Sequence, residues 1–172
     1  MKKGKIRLLV LDLLFLLLLI AGDQFTKHLA VRYLKDQPAI PILPEILELK
    51  YLENRGAAFG MLQNQKLFFV FVAALIVAVI VCVLFLMPDQ KKYRVLHCLL
   101  VMIASGAAGN MIDRLRLDYV VDFISFVLIH FPIFNVADIY VTVATFLLAV
   151  LLLFYYKEED LSFLSLRYGH KE

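Results

Sequence analysis

The sequence predicts an all-α integral membrane protein with four transmembrane helices and a small β-rich cradle at the outer membrane surface. Of its 172 residues, 62% are hydrophobic and 19% are charged, and the mean hydropathy is +0.82. Soluble domains carry about 45–50% apolar residues, and a chain of this size cannot hide the excess inside one core. We therefore expect residues 1–172 to form a single membrane domain.

Four segments are long enough to cross the hydrocarbon layer, because about 20 apolar residues span about 30 Å. These segments are 6–22, 67–87, 95–112 and 136–156. The first contains Asp12 and ends at Asp23. No small-residue cleavage site follows it, so we expect a retained span and not a removed signal peptide.

Lysine and arginine are dense before the first span, between the second and third spans, and in the C-terminal tail. The positive-inside rule places these three regions in the cytoplasm. An N-in/C-in arrangement leaves residues 23–66 and 113–135 on the extracytoplasmic side.

The two outer segments contain strand patterns. Three prolines between 38 and 44 favour an extended chain, and residues 47–51 alternate apolar with polar side chains. A turn is predicted at 54–56, and residues 119–126 are β-branched and aromatic. We expect the two strand regions to pair into a small sheet lying on the membrane.

Polar side chains gather at the outer boundary of the spans. Because a carboxylate at this depth is costly, it usually faces a partner or a water-filled cavity. The residues at this level are Asp23, Lys27, Asn54, Asn110, Asp113, Arg114, Asp122, Asn135 and Asp138.

Most of these residues also have a purely structural interpretation. Asn135 and Asp138 fit a helix cap resembling the capping box. Asp23 with Lys27 fits an interfacial ion pair worth little, and Asp113 fits the water boundary of the third span. Asp122 is different, because a carboxylate inside a Val-Val-Asp-Phe-Ile strand contributes nothing to that strand.

Other residues lie away from this level. Asp12 is about 16 Å from Asp23 along a helix axis, so it falls outside a shared site, and the sequence identifies no partner for it. We expect an interfacial His97 and buried, unpaired thiols at Cys82 and Cys98. Two glycines, Gly106 and Gly109, are expected to permit close helix packing.

Two carboxylates in a partly dry site share one proton, because like charges at short range do not both ionise cheaply. The ionised group then accepts a proton from water while the protonated group polarises a peptide carbonyl. No zinc-ligand spacing, phosphate loop or base beside Ser105 supports other chemistry. A net charge of +3 does not indicate nucleic-acid binding.

Five motifs in order resemble the lipoprotein signal peptidase family, signal peptidase II, over nearly the whole chain. They are Asp23-Gln-Phe-Thr-Lys27, Asn54-Arg-Gly-Ala-Ala-Phe-Gly60, Gly109-Asn-Met-Ile-Asp-Arg114, Val120-Val-Asp-Phe-Ile124 and Phe134-Asn-Val-Ala-Asp138. The sequence departs from the family pattern at Asp118-Tyr119 and Ile139-Tyr140. Neither departure touches an expected catalytic position, so both bear on local loop shape.

The resemblance implies an aspartyl endopeptidase of the bacterial plasma membrane, multi-pass, with its active site at the extracytoplasmic face. Such enzymes cut prolipoproteins just before the diacylglyceryl-modified cysteine of the lipobox. The family's catalytic pair falls on Asp122 and Asp138. Its supporting or substrate-binding positions fall on Asp23, Lys27, Asn54, Gly56, Asn110, Asp113, Arg114 and Asn135.

The expected partners are diacylglyceryl-modified prolipoproteins and membrane lipids, with no metal, cofactor or nucleic acid, and we expect a monomer. Two other classes of function stay open from the residues. A small proton-coupled carrier would use intramembrane aspartates as a relay, but only Asp12 lies deep in a span. A non-enzymatic assembly factor would need neither Asp122 nor Asp138.

Overall fold

The computed structural model describes residues 3–56 and 62–164. In these residues the four long helices are α1 (Lys3–Leu34), α2 (Lys66–Leu86), α3 (Arg94–Leu117) and α4 (Val136–Phe154), and the three strands are β1 (Ile40–Leu43), β2 (Leu47–Asn54) and β3 (Val120–Phe126). The helices and strands occur in the order α1, β1, β2, α2, α3, β3, α4. Short 3-10 helices cover Lys91–Tyr93 and Glu158–Leu164.

Three helices of the described chain are long and apolar enough to cross a membrane: α2, α3 with its preceding 3-10 turn, and α4. They agree with the second, third and fourth predicted spans. The first predicted span lies inside α1, and its membrane crossing stays a prediction. The N-in/C-in orientation also stays a prediction.

Helix α1 continues past Asp23, where the first predicted span ends. It runs unbroken for 32 residues, which is about 48 Å and far longer than a hydrocarbon layer needs. The charged residues Asp23 and Lys27 do not interrupt the helix, because both are buried against partners. Both predicted outer segments, 23–66 and 113–135, therefore begin as helix, and their extracytoplasmic position stays a prediction.

Helix α3 is central and packs against the other three helices. Gly106 and Gly109 of α3 lie in close contact with neighbouring helices, as predicted. A Cβ atom at Gly106 would collide with the carbonyl oxygen of Ala137 on α4, and one at Gly109 would lie 2.6 Å from Oδ2 of Asp23 on α1. Small residues here let three helices meet at one level.

The three strands form one antiparallel sheet with β2 in the middle. The predicted pairing of the two strand regions is confirmed, since Leu49 pairs with Ile124 and Asn54 with Val120. The proline-rich segment was predicted only as extended, and it contributes β1 as an edge strand. This position suits Pro41, which has no N–H to donate.

The expectation of buried thiols was wrong. Cys82 and Cys98 are free thiols but exposed on the outside of the helices, where apolar side chains are also exposed. His97 is 2% exposed, and its Nδ1 lies 2.7 Å from Oδ2 of Asp12, so it is the partner that the sequence did not identify for Asp12. The interfacial depth of His97 stays a prediction. Residues 57–61 of the second motif and 165–172 of the predicted tail lie outside the described residues.

We expect Gly106→Ala to lower the unfolding temperature in detergent micelles, because overpacking costs about 1–3 kcal/mol. The matched control is Gly22→Ala, whose Cβ would lie 3.5 Å from Oη of Tyr140, an ordinary contact. Both variants change helix propensity alike, so the difference between them reports packing. Equal unfolding temperatures would contradict the close α3–α4 approach.

Candidate active site

Two carboxylates from different elements, one buried and one half-buried, line one cavity of about 640 Å³. Asp122 lies in the middle of β3 and is 1% exposed, and Asp138 is the third residue of α4. The chain between them doubles back, because the carbonyl oxygen of Phe134 accepts hydrogen bonds from the N–H groups of Phe123 and Ile124. This return brings the start of α4 beside the middle of β3.

All four carboxylate oxygens accept a hydrogen bond. Asn54 donates through Nδ2 to Oδ2 of Asp122 at 2.8 Å, and Asn135 donates through Nδ2 to Oδ1 of Asp122 at 2.6 Å. Asn110 donates to Oδ1 of Asp138 at 2.8 Å, and the Asn135 backbone N–H donates to Oδ2 of Asp138 at 3.1 Å. These four donors hold both carboxylates in place at the edge of the cavity.

The start of α4 is a capping box, as the sequence predicted. Asn135 caps the helix by accepting from the Asp138 N–H at 3.1 Å, while the Asp138 side chain accepts from the Asn135 N–H. The structural interpretation of this pair is therefore confirmed. It does not exclude chemistry, because Oδ1 of Asp138 is bound by Asn110 and not by the cap.

The surroundings of the two carboxylates differ. Burial and the nearby charge of Asp138 raise the pKa of Asp122 to about 7, although hydrogen bonds from Asn54 and Asn135 oppose the shift. Asp138 lies in the first turn of α4, where the positive end of the helix dipole favours negative charge. The surroundings therefore favour the proton on Asp122 and negative charge at the position of Asp138.

A buried ammonium lies behind the pair. Lys27 is 3% exposed, and its Nζ lies 2.9 Å from Oδ2 of Asp23 and 3.0 Å from Oδ2 of Asp113. It also donates to Oδ1 of Asn110 at 2.8 Å, which leaves the Asn110 amide nitrogen directed at Asp138. The interpretation of Asp23 and Lys27 as a weak interfacial pair is wrong, because neither side chain reaches water.

Each carboxylate on this lysine holds the backbone of a residue that precedes a cavity aspartate. Oδ1 of Asp23 accepts from the N–H of Ala137 at 2.9 Å, and Oδ2 of Asp113 accepts from the N–H of Val121 at 3.1 Å. Asp113 thus does more than mark the end of a span. One ammonium ties α1, α3, β3 and α4 together directly behind the cavity.

Arg114 borders the cavity on the side of the second sequence motif. It donates to the carbonyl oxygen of Gly56 at 3.2 Å, and its guanidinium lies 4.6 Å from the ring centroid of Phe69. Gly56 in turn donates its N–H to Oδ1 of Asn54 at 3.0 Å, which confirms the predicted turn. The arginine therefore holds the backbone two residues after Asn54, the last residue of β2.

The ten residues that the family resemblance implies as catalytic, supporting or substrate-binding all belong to this cavity or to the network behind it. Their catalytic and supporting roles stay predictions. The sequence reasoning missed Gln24, whose Nε2 donates to Oδ1 of Asp113 at 2.8 Å. Its position next to Asp23 in the first motif is the feature of the sequence that could have identified Gln24. The apolar lining was also missed, since hydropathy does not separate cavity walls from lipid-facing side chains.

Comparisons with known proteins agree on one family. A family model described as signal peptidase (SPase) II matches residues 15–154. The chain is 45% identical over 133 residues to the lipoprotein signal peptidase of Caldanaerobacter subterraneus subsp. tengcongensis, which covers 77% of this chain and 88% of that protein. It is 43% identical over 156 residues to the lipoprotein signal peptidase of Streptococcus pyogenes serotype M5, with 91% and 97% covered.

Solved structures resemble the whole fold. A bacterial membrane enzyme structure determined by the in meso method at 2.3 Å resolution superposes with a TM-score of 0.75 at 28% identity, covering 94% of this chain and 93% of that one. A second such structure, at 1.9 Å, gives a TM-score of 0.73 at 28% identity and covers 84% and 94%.

We expect Lys27→Met to destabilise the protein strongly, because removing one partner of a buried ion pair costs about 3–5 kcal/mol. Differential scanning fluorimetry in micelles measures the drop in unfolding temperature. The matched control is Lys35→Met, since Lys35 is 41% exposed and pairs with Glu53 at the surface. The triple variant Asp23→Asn/Lys27→Met/Asp113→Asn should regain part of the loss. A drop no larger than that of the control would refute the buried tie.

Proposed function

Because the chain belongs to the signal peptidase II family, a family of membrane proteases, we propose that it removes signal peptides from bacterial prolipoproteins by an aspartyl mechanism. The cut falls just before the diacylglyceryl-modified cysteine of the lipobox, at the extracytoplasmic face of the plasma membrane. The observation that carries the mechanism is the pair Asp122 and Asp138, two carboxylates with unlike surroundings on one cavity.

In the first step, Asp138 is ionised and takes a proton from a water molecule. The water oxygen attacks the scissile carbonyl carbon, while Asp122 gives its proton to the carbonyl oxygen. The product is a neutral tetrahedral diol. The raised pKa of Asp122, about 7, supports its role as the proton donor.

In the second step, the protonated Asp138 gives its proton to the leaving nitrogen, and the C–N bond breaks. One diol hydroxyl returns its proton to Asp122 as the carbonyl bond forms again. The signal peptide leaves with a new carboxyl group and the lipoprotein with a new amine. Both aspartates are restored, so no covalent intermediate, metal or other cofactor is needed.

The substrate lies along the apolar walls of the cavity, which α4 and the segment after β3 supply. These walls include Ile129, Phe131, Ile133, Ile139 and Val143. Arg114 and the asparagines beside Asp122 and Asp138, the catalytic dyad, steady the peptide backbone of the substrate. The lipid chains of the substrate stay in the bilayer. All of these groups come from one chain, which supports a monomeric enzyme.

We propose four membrane spans with both termini in the cytoplasm. Exposed leucines on α1, among them Leu14, Leu17 and Leu18, support a first span in contact with lipid. The sheet and the outer ends of α1 and α3 then form an extracytoplasmic cradle on the membrane surface. Labelling of single cysteines by an impermeant maleimide, applied from either side, tests this orientation.

We expect Asp122→Asn and Asp138→Asn each to lower cleavage of a diacylglyceryl-modified prolipoprotein by about 10²–10⁴-fold, because acid–base catalysis is lost. The assay uses purified protein in micelles with a chelator, beside the unlipidated precursor. The matched control is Asp118→Asn, an exposed carboxylate four residues before Asp122 that pairs with Lys66. Full cleavage by either dyad variant would refute the mechanism, and proton transport in liposomes would then be measured.

The alkaline limb of kcat/KM should fall near pH 7. Asp122 is active when protonated, and since its pKa is raised to about 7, activity is lost as pH rises through that value. The hydrogen bond from Asn54 lowers this pKa, so Asn54→Ala should move the limb to higher pH. Glu53→Gln, one residue away on β2, should leave the limb in place. A limb that Asn54→Ala moves to lower pH would contradict the assignment.

A further inference from the structure

A second polar pair, with one member buried and the other half-buried, lies far from the dyad. Oδ2 of Asp12 on α1 lies 2.7 Å from Nδ1 of His97 at the start of α3. His97 is 2% exposed, and its Nε2 has no hydrogen-bond partner among the described residues. Burying these groups in an apolar layer is costly. Neither residue contacts Asp122 or Asp138, so the proposed chemistry alone does not explain them.

The pair lies in register with the active-site network. Asp12 and His97 are 85 residues apart along the chain, and so are Gln24 and Gly109, whose side chain and carbonyl meet three turns further on. Because the sequence separation is the same at both contacts, α1 and α3 run parallel and keep the same residue alignment from one contact to the other. The two helices are therefore joined by polar contacts at two levels about 18 Å apart.

Both levels use the same face of α1. Eleven residues make three helical turns to within about 20°, so Asp12 and Asp23 point in the same direction. Between the two levels the packing is apolar, with Phe15 and Leu16 against the inner core. Apolar contacts tolerate small rotations and slips, whereas a buried polar pair has one geometry and specifies register.

The inner end of α1 is also tied to α2. Lys5 is 9% exposed, and its Nζ donates to the carbonyl oxygens of Leu84 and Met87 at the end of α2, at 2.6 and 2.5 Å. This contact fixes where α1 begins. It does not fix how α1 is rotated against α3, because it involves α2 alone.

We infer that Asp12 and His97 are positioning residues that set the rotation of α1 against α3 and so place Lys27 behind the dyad. Lys27 and Asp23 lie four residues apart on α1 and turn together, so the α1 rotation decides whether the ammonium reaches Asp113 on α3 and whether Asp23 reaches the N–H of Ala137 on α4. Through those carboxylates, the rotation acts on the backbone of Ala137 and Val121. The inference deepens the proposed function, on which its kinetic arm rests.

The test measures the proton on Asp122 directly. Infrared titration of the purified protein follows the C=O band of protonated Asp122, assigned by its absence in Asp122→Asn. The charge of Lys27 lowers the pKa of Asp122. We expect Asp12→Leu and His97→Leu to move this titration to higher pH, because Lys27 no longer lies in place. The titration midpoint does not depend on how much protein folds.

Matched variants separate positioning from stability. Asp12→Asn keeps an oxygen that accepts from His97 and should titrate like the wild type. The double variant Asp12→Leu/His97→Leu should shift no further than either single variant, because one contact is lost in all three. Ser105→Ala removes another buried polar group of α3, one bonded only to its own helix at the Val101 carbonyl, and should cause no shift.

Cleavage gives the second readout. We expect kcat to fall about tenfold in the two leucine variants with KM nearly unchanged, since the dyad is misplaced and the substrate walls are not. An unshifted Asp122 titration in Asp12→Leu would overturn the inference, and so would an equal shift in Ser105→Ala. Failure of the wild type to cleave would overturn the proposed function alone, because the infrared arm needs no substrate.

Discussion

The buried ammonium of Lys27 is the interaction on which the rest of the site depends. It lies within 3.0 Å of two carboxylates, and each of these holds the N–H of a residue that precedes a dyad aspartate. A shift of Lys27 is therefore felt at Val121 and Ala137 together. The charged groups of Lys27, Asp23 and Asp113 hold the dyad in place from the side opposite the cavity, so the cavity stays free for substrate.

Such a cluster explains why a chain of apolar helices also contains a sheet. Two carboxylates and one ammonium leave a negative excess that only further donors can offset. Backbone N–H groups are such donors, but those inside a helix are already used. The strand β3 supplies Val121, and the first turn of α4 supplies Ala137. Strand and helix start are thus both needed to complete the network.

The sequence predicted local features well and partners poorly. The α4 cap, the strand patterns of β2 and β3 and the small residue at Gly106 each follow from a few neighbouring residues, and each is present. The burial of Asp23 and the partner of Asp12 were missed for one reason. Hydropathy registers the cost of a polar group in an apolar segment, whereas partners distant in the sequence, Ala137 for Asp23 and His97 for Asp12, decide how the group is accommodated.

The same reasoning explains why the two dyad aspartates differ. Asp122 lies in a strand, which offers no dipole, and its two donors are neutral side-chain amides. Both amides are fixed by their oxygens, because Oδ1 of Asn54 accepts from the Gly56 N–H and Oδ1 of Asn135 accepts from the Asp138 N–H. Asp138 lies at a helix start and accepts a backbone N–H there, where the helix dipole favours negative charge. A buried carboxyl group without a dipole is suited to hold a proton, and one at a helix start is suited to begin the reaction ionised, so the asymmetry arises from the secondary structure itself.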